Sequence, residues 1–189
     1  MKKVLMLLLL MPSLTCLAGD WPTFSYDQRR SGWARDEVIL KRDNVANLTL
    51  KWKKSVENTT KSLTALTAPI VITDVRVADG QKDLVYVGGS GDIFYGFDAA
   101  NGEIVWEKQF KTDVANKVPG MWLCPKGLNA TPDVDVSKNT IYVIATDGKF
   151  YALDLATGKE KYRAQQFVPP FAKTWSLNRI GDTIYTPIS

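Results

Sequence analysis

The sequence predicts an all-β fold of repeated four-stranded antiparallel units, and three observations predict it. Residues 95–103 read YGFDAANGE and residues 151–159 read YALDLATGK, one phrase spelt twice. Tyr86 and Tyr142, Tyr95 and Tyr151, Asp98 and Asp154, Gly102 and Gly158, and Trp106 and Tyr162 all stand 56 residues apart (142 − 86). Short runs of β-branched and aromatic residues alternate with Gly, Asn and Asp turns, and no helical periodicity follows residue 18.

The first 18 residues stand outside that fold. Lys2 and Lys3 precede the apolar run Val4 to Met11, Pro12 breaks it, and Cys16-Leu17-Ala18 offers small residues to a signal peptidase. The run is too short to span a bilayer, which takes roughly 20 apolar residues. The order predicts a secretory signal peptide over 1–18, cleaved after Ala18, with residues 19–189 as a single partial repeat domain, periplasmic or secreted. Lipidation at Cys16 is the weaker alternative, because Ser13-Leu14-Thr15 fits the box before a lipidated Cys poorly.

The elements follow in order. LTLKW (48–52) reads as the outer strand of a first unit. APIVI (68–72), LVYVG (84–88), IFYGF (93–97) and EIVW (103–106) make one unit, joined by the turn GSGD and the turn at Asn101-Gly102. TPDVDV (131–136), TIYVI (140–144), KFYAL (149–153) and KEKY (159–162) make the next, joined through Asp147-Gly148 and Thr157-Gly158. Asn-Gly and Asp-Gly supply the positive φ that tight hairpins need. WSLNRIGDTIYTPI (175–188) opens a later unit. Four strands per unit is the blade of a β-propeller. The mature 171 residues (189 − 18) hold about three to four blades, fewer than most of the rings of roughly 4 to 8 that close. Such an incomplete propeller leaves strand edges open to self-association or to envelope proteins.

Composition removes whole classes of function. The chain has no histidine, which excludes Ser-His-Asp and Cys-His nucleophiles, His-ligated zinc and the CxxCH haem motif. Losing Lys2 and Lys3 with the leader lowers the net charge from +4 to +2, which gives nucleic acid no reason to bind. Cys16 leaves as well, so Cys124 has no intrachain disulfide partner.

Most conspicuous side chains read as structural. Asp98 and Asp154 precede Gly turns, where a carboxylate caps backbone N–H groups. Trp106 and Tyr162 are expected to dock between blades. Lys108, Lys53-Lys54 and the lysines of 159–161 are expected on solvated edges. Asp133 and Asp135 fall short of the six or more oxygens calcium takes. The sequence therefore offers neither a catalytic set nor a metal site.

The phrase FDAANGEIVW resembles the tryptophan-docking repeat of quinoprotein dehydrogenases, whose propellers bind pyrroloquinoline quinone (PQQ). DWPTFSYDQRRSGW with NVANLTLKW resembles the N-terminal segment of those enzymes, and PGMWLCPKGLNATPDV is similar to the stretch between their first two repeats in the polyvinyl-alcohol dehydrogenase type. The resemblance covers residues 20–189 and implies a quinoprotein-type propeller with PQQ as cofactor, accompanied by calcium in complete relatives. It also implies cofactor contact at Trp122, Cys124 and Asn129, with packing of the loop as the alternative role for Trp122 and Asn129. Where relatives place two adjacent cysteines and then an Asn-Arg-Gly-like segment, this chain has Leu123-Cys124 and then Lys126-Gly127-Leu128-Asn129. The family's calcium ligands and catalytic Asp lie largely in later blades. Three readings follow: the N-terminal portion of a quinoprotein alcohol dehydrogenase, a non-catalytic envelope scaffold, and a truncated nonfunctional product. Cys124 either pairs outside this chain or serves as a small buried hydrophobe.

Overall fold

In the computed structural model, residues 19–58, 66–89, 91–110 and 128–188 are described. The predicted signal peptide, Trp122 and Cys124 lie outside these residues. Ten strands and two short 3-10 turns make up the described fold, with no helix long and apolar enough to cross a membrane.

The repeat becomes two four-stranded antiparallel blades. Strands β1 (Ile70–Val77), β2 (Gly80–Gly88), β3 (Ile93–Asp98) and β4 (Ile104–Gln109) lie side by side in chain order. Strands β5 (Asp133–Asp135), β6 (Thr140–Ile144), β7 (Lys149–Asp154) and β8 (Gln165–Gln166) repeat the order. A hairpin of β9 (Asn178–Ile180) and β10 (Thr183–Tyr185) opens a third unit. Register follows the 56-residue spacing: Tyr86 faces Gly96 across β2 and β3, and Tyr142 faces Ala152 across β6 and β7.

The two predicted Asp turns cap themselves. The Asp98 carboxylate accepts from the N–H of Ala100 at 2.8 Å, and Asp154 accepts from Ala156 at 3.1 Å and Thr157 at 3.0 Å. Gly102 and Gly158, both at positive φ, close the turns with N–H bonds to the Asp98 and Asp154 carbonyls.

The glycine leaves a flat seat, and an aromatic ring from the preceding unit occupies it. Trp52 lies over Gly102 and Trp106 over Gly158, so a Cβ on either glycine would fall 2.6 Å and 2.4 Å from the indole. Each indole N–H then donates to the carbonyl just after the Asp, Trp52 to Ala99 at 3.0 Å and Trp106 to Leu155 at 2.8 Å. Tyr86 Oη donates to the same Leu155 carbonyl at 3.0 Å. One core therefore runs through both blades, from Ile70, Leu84, Tyr86 and Phe94 to Ile141, Val143, Leu153 and Leu155. A second cluster of Ala130, Ile144, Val168 and Leu177 joins the second blade to the third.

Three expectations need correction. Residues 48–52 form no ladder, because no described strand lies beside them. KEKY contributes only a bridge between Glu160 and Leu153, and the fourth strand of its blade falls later, at Gln165–Gln166. Tyr162 is 68% exposed, whereas Trp106, its counterpart, is 8% exposed.

Lys108 also departs from its predicted solvated edge. Its Nζ lies 2.9 Å from Glu160 of the next blade and 5.4 Å and 5.9 Å from the ring centres of Phe110 and Tyr151. Lys53 and Lys54 are exposed as expected, though on an unpaired segment.

Candidate functional site

Two places concentrate polar side chains. The first is the end of the blades where Asn129 sits. Because β5 and β6 are antiparallel, the entry to β5 lies at the same end as the turn from β6 to β7. The Leu128 N–H donates to Gly89 at 3.2 Å, which ties this entry to the β2–β3 turn of the first blade. Half-buried Asn129 thus stands between buried Leu128 and Ala130, where two blades meet.

Sequence reading missed Asp92 at that junction. Asp92 adopts φ +59° where the second repeat has Gly148 at φ +74°, again 56 residues on (148 − 92). A non-glycine residue in this region costs roughly 1 kcal/mol or more. Its buried carboxylate offsets that cost by accepting from the Thr146 N–H at 3.1 Å and the Thr146 hydroxyl at 2.9 Å across the blade boundary. The available signal was an Asp at a position where the other repeat uses Gly.

PQQ carries three carboxylates on a planar ring system, so a seat for it needs cations or clustered N–H donors. The described groups at this end are instead acidic and already engaged: Asp92 with Thr146, and Asp147 with Tyr151 Oη at 2.8 Å and Lys149 at 3.1 Å. Of the three residues predicted to touch the cofactor, only Asn129 is described. The described residues do not by themselves compose a quinone site. Nor do they include a group of three or more Cys, Asp or Glu side chains placed to hold a metal ion.

The second place is a cleft of about 570 Å³ lined by Asp20, Thr23, Tyr26, Arg35, Asp133 and Arg179, among others. The N-terminal segment forms one wall. It bridges the blades, with Trp21 exchanging hydrogen bonds with Val71 of β1 and the Pro22 carbonyl accepting from Val134 of β5. Arg30 reaches back to Thr23 Oγ1 at 2.9 Å and to the Leu177 carbonyl. Arg179 of β9 forks onto β5: Nε to Asp133 at 2.9 Å, Nη1 to Asp135 at 3.4 Å and Nη2 to the Val134 carbonyl at 3.3 Å.

Burial pushes the Asp133 carboxyl above the usual carboxylate range, against the opposing pull of Arg179 and Thr23. Burial acts on Asp135 in the same sense, but the Ser137 hydroxyl, Arg179 and Lys138 together bring it below that range. The Arg30 guanidinium is lowered by burial, with Asp133 and Asp27 opposing. Each carboxylate of the pair is thus matched by a cation, which is a structural ion-pair network and not an acid–base pair.

The comparisons with known proteins agree with the propeller fold. The family profile described as outer membrane protein assembly factor BamB, of the PQQ-type repeat class, matches residues 36–187. Quinohemoprotein alcohol dehydrogenase of Comamonas testosteroni is 30% identical over 148 residues, which are 78% of this chain and 18% of that enzyme. The crystal structure of that enzyme superposes with a TM-score of 0.55 at 25% identity, covering 78% of this chain and 19% of the enzyme chain. A quinohemoprotein alcohol dehydrogenase from Pseudomonas putida, ADHIIG, shares the fold with a TM-score of 0.62 at 19% identity, covering 88% of this chain and 22% of its own. This chain spans less than a quarter of the length of these relatives. It belongs to the PQQ-type β-propeller repeat family and is homologous to quinohemoprotein alcohol dehydrogenase.

Proposed function

We propose that this chain is exported and forms the N-terminal blades of a quinoprotein alcohol dehydrogenase propeller, with alcohol oxidation belonging to the assembled ring. The observation that supports this most is its 30% identity, over most of its own length, to a segment amounting to 18% of quinohemoprotein alcohol dehydrogenase. In this reading the connection carrying Trp122, Cys124 and Asn129 faces the quinone, which would act as hydride acceptor when bound. Two blades locked by Trp106 and Asp92 meet at the end where Leu128 and Asn129 enter β5. A second reading, a non-catalytic envelope scaffold, draws support from the BamB description of the family and from the carboxylates at the site being already engaged by Thr146, Tyr151 and Lys149.

A quinone titration separates the two. PQQ added to the purified chain should quench indole fluorescence, and Trp122→Ala should lose most of that quenching while Trp175→Ala, whose indole is already exposed, retains it. Equal quenching in both variants would exclude the assignment of Trp122 and favour the scaffold.

A further inference from the structure

The two Trp–Gly seats differ in chemistry at one position. Gly158 follows Thr157, whereas Gly102 follows Asn101, and Asn101-Gly102 is the one Asn-Gly pair of the chain. An asparagine before glycine is prone to a main-chain reaction, because no side chain on the next residue shields its amide nitrogen. Asn101 is exposed and Gly102 is buried. The Asn101 Oδ1 accepts from the Glu103 N–H at 2.9 Å, which draws electrons from the side-chain carbonyl carbon, and its Nδ2 donates to Glu103 Oε2 at 3.2 Å. Among the described residues, two contacts hold the turn shut over this carbon. The Gly102 N–H, whose nitrogen is the nucleophile once deprotonated, donates to the Asp98 carbonyl at 2.8 Å. Trp52 covers the glycine, where a Cβ would fall 2.6 Å from its ring, and its indole N–H donates to the Ala99 carbonyl at 3.0 Å.

We propose that Asn101-Gly102 is a deamidation and isomerisation site that the seated Trp52 guards. In the reaction the Gly102 nitrogen bonds to Asn101 Cγ, the Cγ–Nδ2 bond breaks, and ammonia departs from a cyclic imide. Water then opens the ring to aspartate or isoaspartate. The attack requires Gly102 to release the Asp98 carbonyl, so its rate follows the local opening of the turn. Trp52 packs on the closed turn and not on the open one, which lowers the open population. The effect also runs the other way. Isoaspartate lengthens the main chain by a carbon inside the turn and carries Gly102 out from under the indole. Aspartate sets a carboxylate against Glu103, where an amide had donated. Once Trp52 leaves its seat, the turn is therefore open to an irreversible change that bars its return. The Trp106–Gly158 seat, preceded by Thr157, carries no such reaction. The site goes beyond the quinone reading, and its assay contains no quinone, so the two fail separately.

The test incubates the whole chain, Trp52→Ala and Trp106→Ala at mildly alkaline pH and follows residue 101 by peptide mass spectrometry that separates isoaspartate from aspartate. Trp52→Ala should form isoaspartate at 101 about tenfold faster than the parent or more. Trp106→Ala, which empties the other seat, should match the parent, because general loosening would speed both variants. A second measurement needs no variant: as urea rises below the unfolding transition, isoaspartate formation in the parent should track hydrogen exchange of the Gly102 amide. In the aged parent, molecules carrying isoaspartate should exchange the Trp52 indole proton faster than unmodified ones, and Asn101→Thr should abolish the modification. Equal rates in the parent and Trp52→Ala, acceleration by both variants, no modification in Trp52→Ala, formation that does not track Gly102 exchange, or isoaspartate with the Trp52 indole still protected would overturn the proposal.

Discussion

The contact of Trp106 with Gly158 is where one residue's identity decides whether two blades join. The Trp106 ring needs the Cβ-free surface of Gly158, and Gly158 needs its positive φ. Trp106→Ala should cost about 3 to 5 kcal/mol, as large-to-small aromatic core changes do. Gly158→Ala should cost about 2 to 4 kcal/mol, because strain and an indole clash add. Gly181→Ala, with positive φ but open space around it, should cost only about 1 kcal/mol. In the Trp106→Ala background Gly158→Ala should fall to about that value too. Denaturant midpoints for the four variants check this cycle, and additive costs would refute the shared contact. Lys108 shows the reverse relation between sequence and structure. Its neighbours in sequence suggest a strand edge, but its partners Glu160, Phe110 and Tyr151 come together only in the fold. Lys108→Ala should therefore cost about 1 kcal/mol, above the half kcal/mol of an ordinary surface change. An effect indistinguishable from that of Lys54→Ala would show that the bridge contributes nothing.

Among elements, the β9–β10 hairpin depends on one arginine. Arg179 spans Asp133, Asp135 and the Val134 carbonyl, and the Asp133 side chain is only 3% exposed. Removing one partner of such a pair strands a buried charge, so Arg179→Ala should cost about 3 kcal/mol at pH 7. The sign of the pH dependence follows from the two carboxyls. Asp133, raised by burial, carries a folding penalty when ionised that is relieved as pH falls through its folded pKa. Asp135, lowered by Ser137, Arg179 and Lys138 against the effect of burial, contributes stability above its unfolded pKa and loses it as pH falls through its folded one. Without Arg179 both carboxyls shift upward, so the destabilisation by Arg179→Ala should shrink between pH 7 and pH 4. Unfolding curves at the two pH values test this, and a larger deficit at pH 4 would contradict it. Strands were legible wherever alternation and a Gly turn coincided, as in β2, β3, β6 and β7. Failure came at KEKY and LTLKW, where a strand-like pattern exists but ladder formation depends on a neighbour that sequence spacing does not reveal.

At the scale of the molecule, the propeller architecture was legible because a 56-residue repeat with Asp, Gly and aromatic marks states a blade, its turn and its plug together. The site was far less legible. Trp122, Cys124 and Asn129 came from resemblance, while Asp92 and the Arg179 clamp act through contacts between blades that no local pattern encodes. That difference bears on activity. A quinone reaction needs a water-poor pocket with donors converging from several blades onto the reacting carbonyl. The described ends of these two blades offer carboxylates already engaged by neighbouring side chains, Asp92 by Thr146 and Asp147 by Tyr151 and Lys149, and the aligned region is 18% of the homologous enzyme. Supplied with PQQ and calcium, this chain alone should therefore reduce no dye at the expense of primary, secondary or polymeric alcohols. The comparison is protein with and without quinone, followed through purification. Quinone-dependent turnover that co-purifies with the chain and disappears on chelating calcium would show that these blades assemble a complete pocket, by association of copies or otherwise, and would overturn the assignment of catalysis to a larger ring.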